Sequence, residues 1–365
     1  MWVVLSAALA VEPPVSRKFV NPMGRLTLGR REQLTTDITL ADLDADGDLD
    51  AIVANGRHWA EENLVFYLSG GGYTVGRPLG ALMSTTYGAQ PIDLDRDGDL
   101  DLITGNDMAS NRMFRNDGAG RFTEWGIFGE EEAPTRGLLV ADLDSDGLDD
   151  VVILNRGTAD ELCFGGTVPL ARCVSLPGEA PTLDAAAADL DGDGHLDLVL
   201  AHHEGHPNRI RFGDGQGGFE RTTIFPGKGG DTRAVVVGDV DLDGRVDVIA
   251  GNLDGPNLIY LSDAGGGLLP PIPLGDVANA TYDLALSDLD LDGDLDIIAA
   301  NVHTPSMIWF NEDVAREWRP VPIEEVGYDS YAVAVGRLND DPWPDVVLGR
   351  SGDVNAAYIN VPASP

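Results

Sequence analysis

Asp42-Leu43-Asp44-Ala45-Asp46-Gly47-Asp48-Leu49-Asp50 is the stretch on which the reading of this chain turns. Carboxylates stand at its first, third, fifth and ninth positions, Gly47 permits a sharp turn at the sixth, and Asp48 offers a backbone carbonyl at the seventh. Hard oxygen donors folded round one point suit Ca²⁺. The stretch resembles an EF-hand loop that closes early, on Asp at the ninth position instead of Glu at the twelfth. Outward from it, D-x-D-x-D-G-x-x-D begins again at Asp93, Asp142, Asp189, Asp239 and Asp288, at intervals of 51, 49, 47, 50 and 49 residues. One acidic turn is ordinarily a solvated loop. Six in register predict six structural calcium sites.

The expected side-chain ligands are Asp42, Asp44, Asp46 and Asp50; Asp93, Asp95, Asp97 and Asp101; Asp142, Asp144, Asp146 and Asp150; Asp189, Asp191, Asp193 and Asp197; Asp239, Asp241, Asp243 and Asp247; and Asp288, Asp290, Asp292 and Asp296. Asp48, Asp99, Leu148, His195, Arg245 and Asp294 hold the seventh position, where the backbone carbonyl is the expected donor.

The formal charge of -37 follows largely from these loops, which hold 28 of the 61 acidic residues. Six bound Ca²⁺ bring the total to -25, and the acids outside the loops exceed the 24 Lys and Arg by only nine. Such a chain lacks the clustered cations that nucleic acid binding needs.

A period near 49 residues with β patterning belongs to propeller blades. Each unit has a short apolar strand such as Gly137-Leu138-Leu139-Val140-Ala141, the acidic loop, then a continuous apolar strand such as Val151-Val152-Ile153-Leu154. Continuous runs predict burial on both faces. A third strand (Ile210-Arg211-Phe212, for example) and a fourth (Phe122-Thr123-Glu124-Trp125) complete a four-stranded antiparallel blade. A seventh unit follows 49 residues after Asp288, but its loop reads Arg337-Leu338-Asn339-Asp340-Asp341-Pro342-Trp343-Pro344-Asp345. Arg337 replaces the first carboxylate and Pro342 the turn glycine, so no Ca²⁺ is expected there; Arg337 is expected to pair with Asp341 or Asp345. The seventh unit also lacks a fourth strand. Arg17-Lys18-Phe19-Val20, ahead of the first unit, has the form of one and is expected to close the ring. The fold predicted is all-β: a seven-bladed β-propeller of four-stranded antiparallel blades, closed by an N-terminal strand in the last blade, in one domain over residues 11–365.

Residues 1–10 read as a signal peptide, an apolar run ending in Ala8-Leu9-Ala10, although the usual positive n-region is missing. The chain is therefore expected to be secreted, periplasmic or at the cell surface. No apolar run reaches the length of a membrane span. Cys163 and Cys173 flank a hairpin bend and are either bridged across it or two buried thiols.

The acidic loops, together with Asn111-Arg112-Met113-Phe114-Arg115-Asn116-Asp117-Gly118-Ala119-Gly120-Arg121-Phe122, resemble the FG-GAP or VCBS repeats of the integrin α-subunit propeller and its bacterial relatives. The resemblance covers about residues 15 to 362. It implies Ca²⁺ between the first and second strands and ligands on the opposite face. It does not fix function, since relatives include adhesion receptors, lectins and polysaccharide-degrading enzymes.

On that opposite face three rings are expected at fixed offsets from the loops. The first is Thr35, Thr86, Thr135, Thr182, Thr232, Thr281 and Ser330; the third is Asn55, Asn106, Asn155, His202, Asn252, Asn301 and Arg350. Both read most simply as turn architecture, because Thr and Asn satisfy turns through their own side chains. Between them lie Thr36, Tyr87, Arg136, Leu183, Arg233, Tyr282 and Tyr331, which vary as a recognition surface does. Tyr87, Arg136, Arg233, Tyr282 and Tyr331, with His202, are the candidate ligand contacts. His202-His203-Glu204-Gly205-His206 reads as a polar loop before it reads as a zinc site, because a β turn does not fix the ring directions. No phosphate cradle or nucleophile-base motif occurs. The leading expectation is a non-catalytic, monomeric binding module for a protein or glycan. A polysaccharide-active enzyme using His202, Glu204, Tyr282 or Arg233, and a scaffold in a surface complex, remain as alternatives.

Overall fold

The computed structural model describes residues 16–22, 26–227, 231–275 and 279–363. The leader expected at 1–10 lies outside them. Blade one runs from Gln33–Ala41 through Asp50–Asn55 and Leu64–Ser69 to Gly72–Pro78. Blades two to six occupy 86–128, 135–175, 182–224, 232–274 and 280–322, each a four-stranded antiparallel sheet in sequence order. Blade seven takes three strands from the end of the chain (Ser330–Gly336, Asp345–Asp353, Ala356–Pro362) and its outermost from the start (Arg17–Val20). Arg17 pairs with Pro362 and Val20 with Ile359, so the ring closes as the sequence predicts. The end of the second strand of blade seven also pairs Gln33 with Asp353 and Leu34 with Ser351, which ties the last blade directly to the first.

Among the described residues there is no single central core. Seven apolar clusters lie at the seven joints between neighbouring blades. The second strands supply both sides of each joint, because successive side chains point to opposite faces of a strand. In blade three, Val151 and Ile153 pack toward blade two, while Val152 and Leu154 pack toward blade four. Fully burying each such side chain contributes about 1.5–3 kcal/mol. Asparagines late in the third strands stitch the joints on the loop face: Asn116 Nδ2 donates to Leu43 O at 2.8 Å, Asn311 to Val240 O at 2.9 Å and Asn360 to Leu289 O at 2.8 Å. Cys163 and Cys173, paired across adjacent strands, form a disulfide, which resolves the two alternatives left open by the sequence.

Candidate functional site

Each of the six acidic loops is shaped by its own side chains before any cation is considered. The first carboxylate accepts the N–H of the turn glycine, as Asp42 Oδ2 does from Gly47 at 3.0 Å and Asp288 Oδ2 from Gly293 at 3.0 Å. The fifth accepts the N–H of the seventh residue, as Asp46 Oδ1 does from Asp48 at 3.0 Å and Asp243 Oδ1 from Arg245 at 3.0 Å. Gly47 sits at φ 92°, which a side chain rarely adopts.

The ninth carboxylate has a second task. Asp50 accepts Leu43 N–H at 3.1 Å and Leu68 N–H at 3.0 Å, pinning the loop to the third strand. Asp101, Asp150, Asp197, Asp247 and Asp296 make the equivalent pair of bonds. So does Asp345 in the rewritten loop, with Leu338 N–H at 2.9 Å and Asn360 N–H at 2.8 Å. The ninth aspartate is therefore kept by the fold even where the first and third carboxylates are lost. Each of its oxygens retains a lone pair for a cation.

The residues fit Ca²⁺. Ligand oxygens of Asp42, Asp44 and Asp50 lie within 4.8 Å of one another, as do those of Asp93, Asp95 and Asp101, of Asp142, Asp144 and Asp146, and of Asp189, Asp191 and Asp197. Asp42, Asp44, Asp95, Asp191 and Asp290 each bury an Oδ1 that has no hydrogen-bond partner among the described residues. Burial, then repulsion from Asp292 and Asp288, pushes Asp290 up to about 6; burial with Asp46 and Asp42 also pushes Asp44 up. A divalent cation reverses that repulsion. Arginines already offset part of it, since Arg115 approaches Asp95 at 2.5 Å and Arg221 pairs with Asp191. At the seventh position of its loop, Arg245 also turns its guanidinium onto Asp243.

The seventh loop differs from expectation in one respect. Arg337 is exposed and makes no ion pair among the described residues. The cation at this joint is Arg17 of the closing strand, 2% exposed, whose Nε donates to Asn360 Oδ1 at 2.8 Å and whose guanidinium lies 4.0 Å from the Trp343 ring centroid. Asp341, Asp290 and Asp345 are the carboxylates that act on it. Sequence reasoning placed the charge on the right loop but on the wrong strand.

At the opposite end of the channel, the Thr and Asn rings are architecture. Thr35, Thr86, Thr232 and Thr281 donate to the Asn55, Asn106, Asn252 and Asn301 side chains at 2.7–2.9 Å, and all eight residues are buried. Asn63 and Asn208 then donate across the joint to Thr86 and Thr232 of the next blade. His202, a candidate ligand contact, belongs to this architecture too. It is 2% exposed, its Nδ1 lies 2.7 Å from Pro207 O, and it does for blade four what Asn252 Nδ2 does for blade five at Pro256 O. Burial pushes its imidazole down to about 4, so it stays neutral. It lines a separate cleft with Asp160 and Arg211. His203 faces Asp231 at 3.4 Å, and Glu204 pairs with Arg156.

The other five candidates come together. Tyr87, Arg136, Arg233, Tyr282 and Tyr331 line one cavity of about 210 Å³ at the channel mouth, joined by Arg57, His58 and Arg156 from the second-to-third-strand turns. The walls are cation-aromatic stacks: Arg136 lies 4.3 Å from the Tyr87 centroid, Arg233 4.9 Å from Tyr282, and Arg57 4.0 Å from Tyr331. Tyr282 and Tyr331 meet edge to face at 4.3 Å. Thr36 is spent on the neighbouring blade, donating to Thr86 O at 2.8 Å.

Asp37, Asp184 and Asp283 also line this cavity. Each accepts a backbone N–H from the first strand of the next blade: Ala89 at 3.0 Å, Val235 at 2.9 Å and Val333 at 2.8 Å. Burial pushes Asp37 up to about 6 and Asp184 up to about 7, and burial with repulsion from Asp184 and Asp37 pushes Asp283 well up. The signal for them was present: they share the position five residues before the loops of blades one, four and six, where Gly88, Gly137, Ala234 and Ala332 stand in other blades. Arg57 and Arg156 gave no such signal, because the turns that carry them vary in length.

The FG-GAP-like repeat family matches residues 93–153, 189–250 and 239–299. No curated protein matches the sequence. Among solved structures, the chain is similar to BBS1N in complex with ARL6DN, in a lead-soaked crystal (11% identity, 93% of this chain and 96% of that one, TM-score 0.62) and a mercury-soaked one (12% identity, the same coverage, TM-score 0.63). It is also similar to a lectin from Agrocybe aegerita that recognises non-reducing terminal N-acetylglucosamine (15% identity, 78% and 79% coverage, TM-score 0.56). These likenesses concern the fold. The protein is an all-β propeller carrying FG-GAP-like repeats.

Proposed function

We propose that this chain is an exported, calcium-stabilised and non-catalytic binding module, monomeric, whose protein or glycan ligand docks on the face away from the acidic loops. One observation carries the reading: Tyr87, Arg136, Arg233, Tyr282 and Tyr331, contributed by five different blades, converge on a single cavity at the channel mouth. Tyrosine and arginine are the residues that most often carry binding energy. Solved propellers of similar fold include one in complex with ARL6DN and one that recognises a sugar, which supports a ligand-binding role. The Cys163–Cys173 disulfide supports an oxidising compartment, in keeping with a leader at residues 1–10. Calcium is supported by the unpartnered carboxylate oxygens of the loops. No helix among the described residues is long and apolar enough to cross a membrane. Against catalysis stands the dispersal of the residues an enzyme needs: His202 is locked to Pro207 in another cleft and Glu204 is paired with Arg156.

A glycan array probed in calcium tests this, with wild type and a Tyr282→Ala/Tyr331→Ala variant of matched melting temperature. The expected result is a wild-type signal that the variant loses. Equal signals from both, or turnover of a bound glycan that survives dialysis, overturn the reading.

A further inference from the structure

Three of the four arginines at the channel mouth are already engaged. Arg136 pairs with Asp107 at 2.6 Å, Arg156 pairs with Glu204, and Arg57 stacks on Tyr331 and reaches Ser351 Oγ at 3.3 Å. Arg233 is different. Its Nε is buried with no hydrogen-bond partner among the described residues, and the groups acting on its guanidinium are Tyr282, Tyr331, Tyr87 and the like charge of Arg156. Burial lowers its affinity for its own proton, so the fold bears a desolvation cost there. A desolvated guanidinium without a carboxylate is stable where an incoming oxyanion completes it, and its planar fork matches carboxylate or sulfate two bonds at a time.

The rest of the cavity is built for hydroxyls. Asp37, Asp184, Asp283 and Gln90 line it with oxygen and amide groups. Burial pushes all three carboxyls up, with repulsion from Asp37 added at Asp184 and from both at Asp283, which favours protonated carboxyls that can donate as well as accept. The volume of about 210 Å³ is enough for one sugar ring.

Building on the binding-module reading above, we infer that the channel mouth is a subsite for one acidic sugar unit, whose carboxylate or sulfate is held by Arg233 and whose hydroxyls meet the ring of Asp37, Asp184 and Asp283. An acidic glycan thus reaches the one of these four arginines whose buried Nε has no partner among the described residues, on a protein whose formal charge of -37 repels polyanions elsewhere.

Calorimetric titration at constant calcium tests the inference with probes that differ only in charge. Cello-oligosaccharides are compared with their C6-carboxylated forms, dextran with dextran sulfate, and poly-glutamate serves as the peptide arm. One or both charged glycans should bind at least about tenfold more tightly than the neutral counterpart, as expected for hydrogen bonds to a charged group. Arg233→Gln should erase that preference, and Arg233→Lys should keep part of it. The carboxylate and sulfate arms decide which acid is preferred. Equal affinity for charged and neutral glycans, or a preference that survives Arg233→Gln, overturns the inference. Poly-glutamate binding as tightly, with the same dependence on Arg233, overturns the sugar assignment. If Arg233→Gln fails to fold, the wild-type charge preference and its loss with added salt decide alone. Should no charged probe bind while a neutral glycan binds through Tyr282, the inference falls and the binding-module reading stands.

Discussion

Asn355 Nδ2 donates to Thr35 Oγ1 at 3.0 Å, across 320 residues of sequence, and so latches the last blade onto the first. Thr35 passes the bond on to Asn55 Oδ1 at 2.9 Å, while Asn355 Oδ1 accepts Arg350 N–H at 2.7 Å. All of these groups are buried. Asn355→Ala removes both bonds and leaves a buried N–H without its acceptor, at a cost of about 1–3 kcal/mol. Chemical denaturation of the calcium-loaded protein should show that loss in the midpoint. An unchanged midpoint means that ring closure does not depend on this latch.

Arg17 and Arg337 make opposite predictions although both stand by the seventh loop. Arg17 is buried, bonded to Asn360 and stacked on Trp343, so Arg17→Ala should cost about 2 kcal/mol. Arg337→Ala, at an exposed position, should change stability by no more than about 0.5 kcal/mol. Thermal melts of the two variants side by side check this, and equal losses contradict it.

His202 stands where five other blades have asparagine. His202→Asn should therefore preserve folding, because an amide Nδ2 can reach Pro207 O as Asn252 reaches Pro256 O. His202→Ala should cost about 1–3 kcal/mol through the unsatisfied carbonyl. Neither substitution should alter ligand affinity at the channel mouth. A change of affinity in His202→Asn at unchanged stability restores His202 as a ligand contact.

The channel carboxyls give stability a pH dependence of definite sign. In the unfolded chain Asp37 and Asp184 titrate near the ordinary 3.8, whereas in the fold burial pushes them up to about 6 and about 7. Between those values the folded protein binds more protons than the unfolded chain, so stability falls as pH rises. With the loops saturated by calcium, the melting temperature should decline from about pH 4 to about pH 8, and Asp184→Asn should flatten the decline. Calorimetric scans at constant calcium measure it. A melting temperature that climbs through that window, with or without the substitution, is incompatible with the buried acids.

Most of the fold was legible because the repeat encodes it column by column. The acidic loop marks the first turn of each blade, the continuous run Val151–Leu154 announces a strand packed on both sides, and Arg17–Val20 announces itself as the missing fourth strand. Five of the mouth residues were legible because they fill one variable column between two constant ones. What the columns could not reveal is which group answers which. His202 looked functional as a histidine in an asparagine column, but its Nδ1 reproduces the amide's bond. Arg337 holds the first loop position in sequence, yet the cation on which the loop's Asp341 and Asp345 act is Arg17, 320 residues upstream. Asp37, Asp184 and Asp283 share the position five residues before their loops, but they were overlooked because three acids among so many ligand aspartates stand out only once burial singles them out.

In the proposed reading, calcium in the six loops holds the ring of blades rigid. Each ion at a hundredfold its Kd contributes about 2.7 kcal/mol to the folded state. The most direct test is calcium titration of the metal-stripped chain, with stoichiometry and melting temperature followed together. The expected result is about six ions per chain and a melting temperature that rises with calcium and falls again in EGTA. A chain that takes up no calcium and melts at the same temperature in both conditions contradicts it.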